Sequence, residues 1–217
     1  MNDFKKPKED LRIRRLRRSE LPANTIKLAR YLIGKTLVRE TPQGRMSGRI
    51  VETEAYPVGD AAGHAFTGRS AANNSLFLQR GTAYVRFTYG AHWLFNVSSE
   101  TPGVGAGVLV RAIEPLEGIP LMQRHRKSAG HRHDLFKMND LVRGPGRLSS
   151  ALLVDGSLDG VDLCAPGSPL WLGAPARSAK GVIGVSVRIG ITKDAHRRLR
   201  FYERGNPHIS GPVRLSP

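Results

Sequence analysis

Two carboxylates and a phenol, Glu52, Glu54 and Tyr56, recur at every second residue of the stretch GRIVETEAY. If residues 49–56 form a strand, side chains alternate between faces, so these three share one face with Ile50 while Val51, Thr53 and Ala55 share the other. Carboxylates two apart on a strand lie about 6.6–7 Å from each other. That separation falls in the range an inverting glycosidase uses to hold an acid and a base on either side of a water. The same pattern also describes the solvated face of an edge strand, so the spacing permits hydrolysis without requiring it.

Aromatic and imidazole side chains follow closely: Tyr56, His64, Tyr84, Phe87, Tyr89, His92 and Trp93. Core packing is the ordinary fate of most of these, Phe87 and Trp93 above all. Tyr89 differs because it precedes Gly90 where two alternating runs, TAYVRFT and AHWLFNVSS, meet in a tight hairpin turn. An aromatic exposed at such a tip is suited to wedging into a base stack; a turn tyrosine packed on a neighbour is the alternative. Residues 124–147 hold seven Lys or Arg and three His against two acids. This reads as a solvated or phosphate-contacting surface rather than a metal site, although His131 and His133 form an H-x-H pair. LRFYERGNPHIS adds a second basic stripe with Arg197, Arg198, Arg200 and Arg204.

The elements that must position these groups follow from periodicity. LPANTIKLARYLIG has an Asn/Thr start, apolar residues at helical spacing and a closing glycine, which predicts a helix within 21–34. Residues 36–56 read as a hairpin turning at TPQGR, and residues 82–99 as another. GVLVRAIEP is a further strand, and a connection of about 30 residues with short helical pieces leads to the short strands of VIGVSVRIG and LRFYERG. The sum is an α+β fold, a single compact domain around a mainly antiparallel sheet with surrounding helices. In 217 residues, 40% hydrophobic, one core suffices.

The formal charge of +16 points to a polyanionic partner, nucleic acid before an anionic membrane surface. Residues 1–18 carry +5 of it and read as a basic, mobile arm, giving a division into an arm at 1–19 and a domain at 20–217. The remaining +11 belongs to the domain itself. No apolar run could span a bilayer and no signal peptide is visible, so an intracellular location is expected, cytoplasm or nucleoid in a bacterium. The single cysteine, Cys164, can form neither an internal disulfide nor a thiolate zinc site.

The blocks GRIVETEAY, His64, GTAYVRFTYGAHWLFNVSS, VLVRAIEPLEG, GPGRL and LRFYERGNPHIS resemble, in order, the alkyladenine (3-methyladenine) DNA glycosylase family across residues 20–212. The resemblance implies a protruding, DNA-inserting β-hairpin on a curved sheet, and duplex DNA containing damaged purines as partner of a monomeric enzyme that uses no cofactor and no metal. It makes Glu54 the general base for a water that Arg111 and the backbone carbonyl of Ile189 also hold. Tyr56 and His64 would sandwich the flipped base, Tyr89 would fill the gap left in the duplex, and Asn96 would obstruct the amino group of normal guanine. One carboxylate then suffices, because an alkylated base is already a good leaving group, and Glu52 is surplus. Glu54, Arg111 and Asn96 together disfavour a non-catalytic binding module, and the basic domain disfavours a saccharide hydrolase. Where most members place a tyrosine on the pocket edge, this chain has Arg86, which puts the substrate range rather than the reaction in question.

Overall fold

The computed structural model describes residues 13–88, 90–128, 138–174 and 181–216. Among the described residues, nine antiparallel strands form one curved, unclosed sheet. They are β1 (Arg14–Arg15), β2 (Thr36–Thr41), β3 (Gly44–Tyr56), β4 (Ala83–Thr88), β5 (His92–Ser98), β6 (Gly107–Glu117), β7 (Leu170–Ala174), β8 (Ile183–Ser186) and β9 (Arg200–Glu203). The order is β1-β7-β2-β3-β6-β5-β4, with β9 joined to β3 and β8. Among the described residues the sheet is accompanied by the α-helices α1 (Thr25–Leu32), α2 (Ile119–Ser128) and α3 (Pro145–Ala151). The expected α+β class and both hairpins are therefore present.

Helix α1 starts where Asn24 accepts a hydrogen bond from the Lys27 amide at 3.0 Å, and it stops before Gly34, whose φ of +82° suits a residue without a Cβ. Its buried face, Leu28, Ala29 and Leu32, joins Ile50, Ala55, Val97, Val108 and Ile113 in the main apolar core. Truncating one such leucine to alanine costs roughly 2–5 kcal/mol. The Thr53 hydroxyl donates to the Ala29 carbonyl at 2.9 Å, which ties the helix to the middle of β3.

Strand β3 organises the molecule because it changes partners along its length. Gly44–Arg49 pairs with β2, whereas Glu52–Glu54 pairs with β9, and β6 runs along the other edge. The ladder to β6 shifts register between Ile50 and Glu52. A bulge of this kind turns the face of a strand. Ile50 therefore joins the core with Ala55 instead of sharing the face of Glu52, as simple alternation had required. Nor are the two glutamates a solvated edge: both are fully buried in a strand bonded on either side.

Part of the segment counted above with the basic arm contacts the sheet. β1 pairs with β7, Leu16 is buried, and the Arg14 guanidinium donates to both Glu20 carboxylate oxygens at 2.8 and 2.7 Å. Residues 13–19 of the basic arm are thus packed onto the sheet; residues 1–12 lie outside the described residues.

Candidate active site

Register alone places four side chains in one row across the sheet. Glu54 on β3 opposes Leu109 on β6, Leu109 opposes Asn96 on β5, and Asn96 opposes Tyr84 on β4. On the face away from α1 this row underlies a cavity of ≈ 640 Å³, whose walls include Tyr56, His64, Tyr84, Asn96, Arg111 and Ile189. That volume accommodates a small flat ligand such as a purine.

Glu54 is fully buried immediately behind this wall, and its three partners all line the cavity. The Ile189 backbone amide donates to Oε1 at 2.8 Å, Arg111 Nη1 stands 3.2 Å from the same oxygen, and the Tyr56 hydroxyl donates to Oε2 at 3.0 Å. Burial, then the neighbouring Glu54 charge, raises the Tyr56 phenol far above its ordinary value, so it stays a donor. Of Ile189, the carbonyl was expected to act; the amide is the group that touches Glu54.

His64 is exposed towards solvent yet enclosed by protein on its other sides. Its Nδ1 lies 3.0 Å from the Tyr84 hydroxyl, and the rings meet edge-on at 5.8 Å. Enclosure, followed by the charge of Arg86, lowers its pKa and favours the neutral imidazole. The Asn73 amide holds the His64 carbonyl at 2.8 Å, which fixes that backbone beside the cavity. Asn96 is nearly buried and donates to the Tyr84 carbonyl at 3.3 Å. Arg86 is on the cavity face of β4, between Tyr84 and Thr88, as alternation requires, but its half-exposed side chain is not part of the wall. Tyr89 falls outside the described residues, as do His131 and His133; the flanking Thr88 and Gly90 place the turn where the sequence reading put it. Among the described residues no cluster of three His, Cys, Asp or Glu side chains could hold a metal ion, and no helix is long and apolar enough to cross a membrane.

On this basic chain a buried carboxylate thus lies behind a cavity roomy enough for a purine. The methylpurine-DNA glycosylase family profile matches residues 19–207. The chain belongs to this family. Three relatives bear the name "Putative 3-methyladenine DNA glycosylase". That of Mesorhizobium japonicum is 59% identical over 198 residues, covering 91% of each chain. That of Paraburkholderia phytofirmans is 51% identical over 208 residues, covering 96% of this chain and 93% of its own. That of Methanocella arvoryzae is 41% identical over 191 residues, covering 86% of this chain and 90% of its own. Membership makes DNA the partner and hydrolysis of a base–sugar N-glycosidic bond the reaction class.

The glycosylase site includes groups that sequence reasoning passed over. Glu52, read as surplus, accepts from Arg111 Nε at 3.0 Å, Arg200 Nε at 2.7 Å and the Ser210 amide at 2.6 Å. Arg111 therefore bridges the two glutamates, with Nε on Glu52 and Nη1 on Glu54. Arg200 is not part of a surface stripe: its side chain is fully buried, and it also donates to the carbonyls of Ser210 and Leu215 at 2.9 Å. Arg197 likewise turns inward to Asp60 at 2.9 Å. At another part of the cavity wall stand Arg126, Arg143 and Arg147, from the segment whose basic composition had suggested phosphate contacts.

Proposed function

We propose that this glycosylase is monofunctional: it flips an alkylated or deaminated purine, of the 3-methyladenine, 7-methylguanine, hypoxanthine and etheno-adenine class, out of duplex DNA and hydrolyses its bond to the sugar. The observation that carries this reading is the setting of Glu54, a fully buried carboxylate whose three partners line a cavity with room for a purine. A base inside a duplex cannot reach such a cavity, so extrusion comes first, and damaged or mispaired bases cost least to extrude. Tyr89, which precedes Gly90 in the sequence, fills the vacated stack, and Tyr56 and His64 take the base between them. Glu54 accepts a proton from a water whose oxygen bonds to the sugar carbon. The base–sugar electron pair departs with the base: an alkylated base, already positively charged, leaves as a neutral purine, whereas a neutral base such as hypoxanthine leaves as its anion or takes up a proton as the bond breaks. Arg111 and the backbone at Ile189 align this assembly, and Asn96 opposes the amino group of undamaged guanine. Cutting the backbone as well would need an amine nucleophile, and no lysine lines the cavity among the described residues.

Duplexes carrying one defined lesion each test this reading. Free base should appear in the supernatant, the strand should stay intact, and alkali should then cut it at the lesion. A strand cut without alkali, with a covalent adduct trapped by borohydride, contradicts hydrolysis alone. Release of no base from any duplex contradicts the reading altogether.

A further inference from the structure

Tyr56 has a cation behind it. The Arg188 guanidinium carbon lies 4.6 Å from the Tyr56 ring centroid, over its face. Arg188 is fully enclosed, donates to the Ala55 carbonyl at 3.0 Å, and pairs with the equally buried Asp60 at 2.9 Å. Tyr56 lines the cavity and Arg188 does not, so the guanidinium covers the rear of the ring and leaves the front to a ligand. Asp60 does not belong to Arg188 alone, because Arg197 Nη1 lies 2.9 Å from the same carboxylate.

An aromatic ring attracts cations through the negative potential of its faces. A cation already held on one face draws on that potential and repels a second cation placed opposite, and in a site shielded from water this repulsion is weakly screened. A neutral purine stacks by dispersion and area, which the rear cation leaves intact. We propose that Arg188 is a specificity-determining residue: stacked on the rear of Tyr56, it tempers the preference of the ring for cationic bases and so broadens the site towards neutral purines. This rests on the reading that Tyr56 stacks on the flipped base.

The test compares single-turnover release of 7-methylguanine, which is cationic in DNA, with release of hypoxanthine, which is neutral. Arg188→Met removes the charge and keeps an extended side chain; Arg188→Lys keeps the charge and its pairing with Asp60. The ratio of cationic to neutral rates should rise about three- to tenfold in Arg188→Met and stay within about twofold of the parent in Arg188→Lys. If Arg188→Met unfolds because Asp60 is left short of a partner, Arg188→Gln, which removes the charge yet keeps a donor for Asp60, should raise the ratio likewise. Equal loss on both lesions in these variants, or the same ratio change in Arg188→Lys as in Arg188→Met, overturns the proposal while leaving the glycosylase reading standing. A parent enzyme that releases neither base sinks both.

Discussion

Glu52→Gln keeps the shape of a side chain while removing the charge that two buried guanidiniums share. Relative side-chain exposure is 0% for Glu52 and Arg200 and 8% for Arg111. Donors reach the carboxylate from Arg111, Arg200, and both the amide and hydroxyl of Ser210. A glutamine at 52 offers one oxygen, and its amide nitrogen must face one of those donors. Removing one partner of a buried pair costs about 3–5 kcal/mol, and Glu54, which still holds Arg111, puts the loss near the lower end. At about 2–4 °C per kcal/mol for a chain of this size, Tm should fall by roughly 6–12 °C. Glu54→Gln should cost less. Its oxygen can keep Ile189 and Arg111, and its amide can donate to the Tyr56 oxygen, while the displaced Tyr56 O–H can turn to water in the cavity that Tyr56 lines. Thermal unfolding of both variants at fixed salt and protein concentration decides the matter. A fall under about 2 °C for Glu52→Gln, or a larger one for Glu54→Gln, refutes the division into a structural and a reactive carboxylate.

Three further outcomes are expected. Arg86→Tyr should favour cationic over neutral lesions by about 1–2 kcal/mol in the ratio of kcat/KM values, since it removes a positive charge beside Tyr84 and His64; a uniform loss of affinity would show instead that Arg86 contacts the DNA backbone. His64 and His208 both titrate below the usual imidazole value of 6.5, chiefly through burial, so the unfolded chain takes up protons first. Stability is then complete above about pH 6.5 and falls as pH drops through the lower folded values, and melting between about pH 7.5 and 5.5 should show a decline that the double variant His64→Gln, His208→Gln flattens. An undiminished decline in that variant assigns the effect elsewhere. Tyr89→Ser should weaken extrusion, read as a smaller signal from a fluorescent base analogue opposite the lesion, and an unchanged signal removes Tyr89 from the wedge role.

The two hairpins that carry Glu54, Tyr84 and Asn96 were legible because each residue sits in an alternating run next to a short turn, whereas the pairing of both hairpins with β6, which brings the three into one row, left no local mark. Alternation failed at Ile50, since a bulge leaves no mark in composition and reverses the face of everything before it. Glu52 was misread for a different reason. Its partners Arg200 and Ser210 are 148 and 158 residues away, and an alternating pattern looks the same on an exposed edge as on a strand with a buried ion pair on it. Phe87, expected in the core, is 47% exposed and packs against Trp93 at 5.1 Å, one residue from the end of β4. Arg188 gave no signal at all, because what distinguishes it is a ring on a strand 132 residues earlier in the chain.

The central claim is that Glu54 activates the water. Single-turnover release of hypoxanthine from a duplex, measured for the parent and for Glu54→Gln, tests it most directly when lesion binding is measured alongside. The account predicts a rate at least about 100-fold lower in the variant with binding retained. A rate within about tenfold of the parent, or a greater loss in Glu52→Gln at a temperature where both variants are folded, contradicts it.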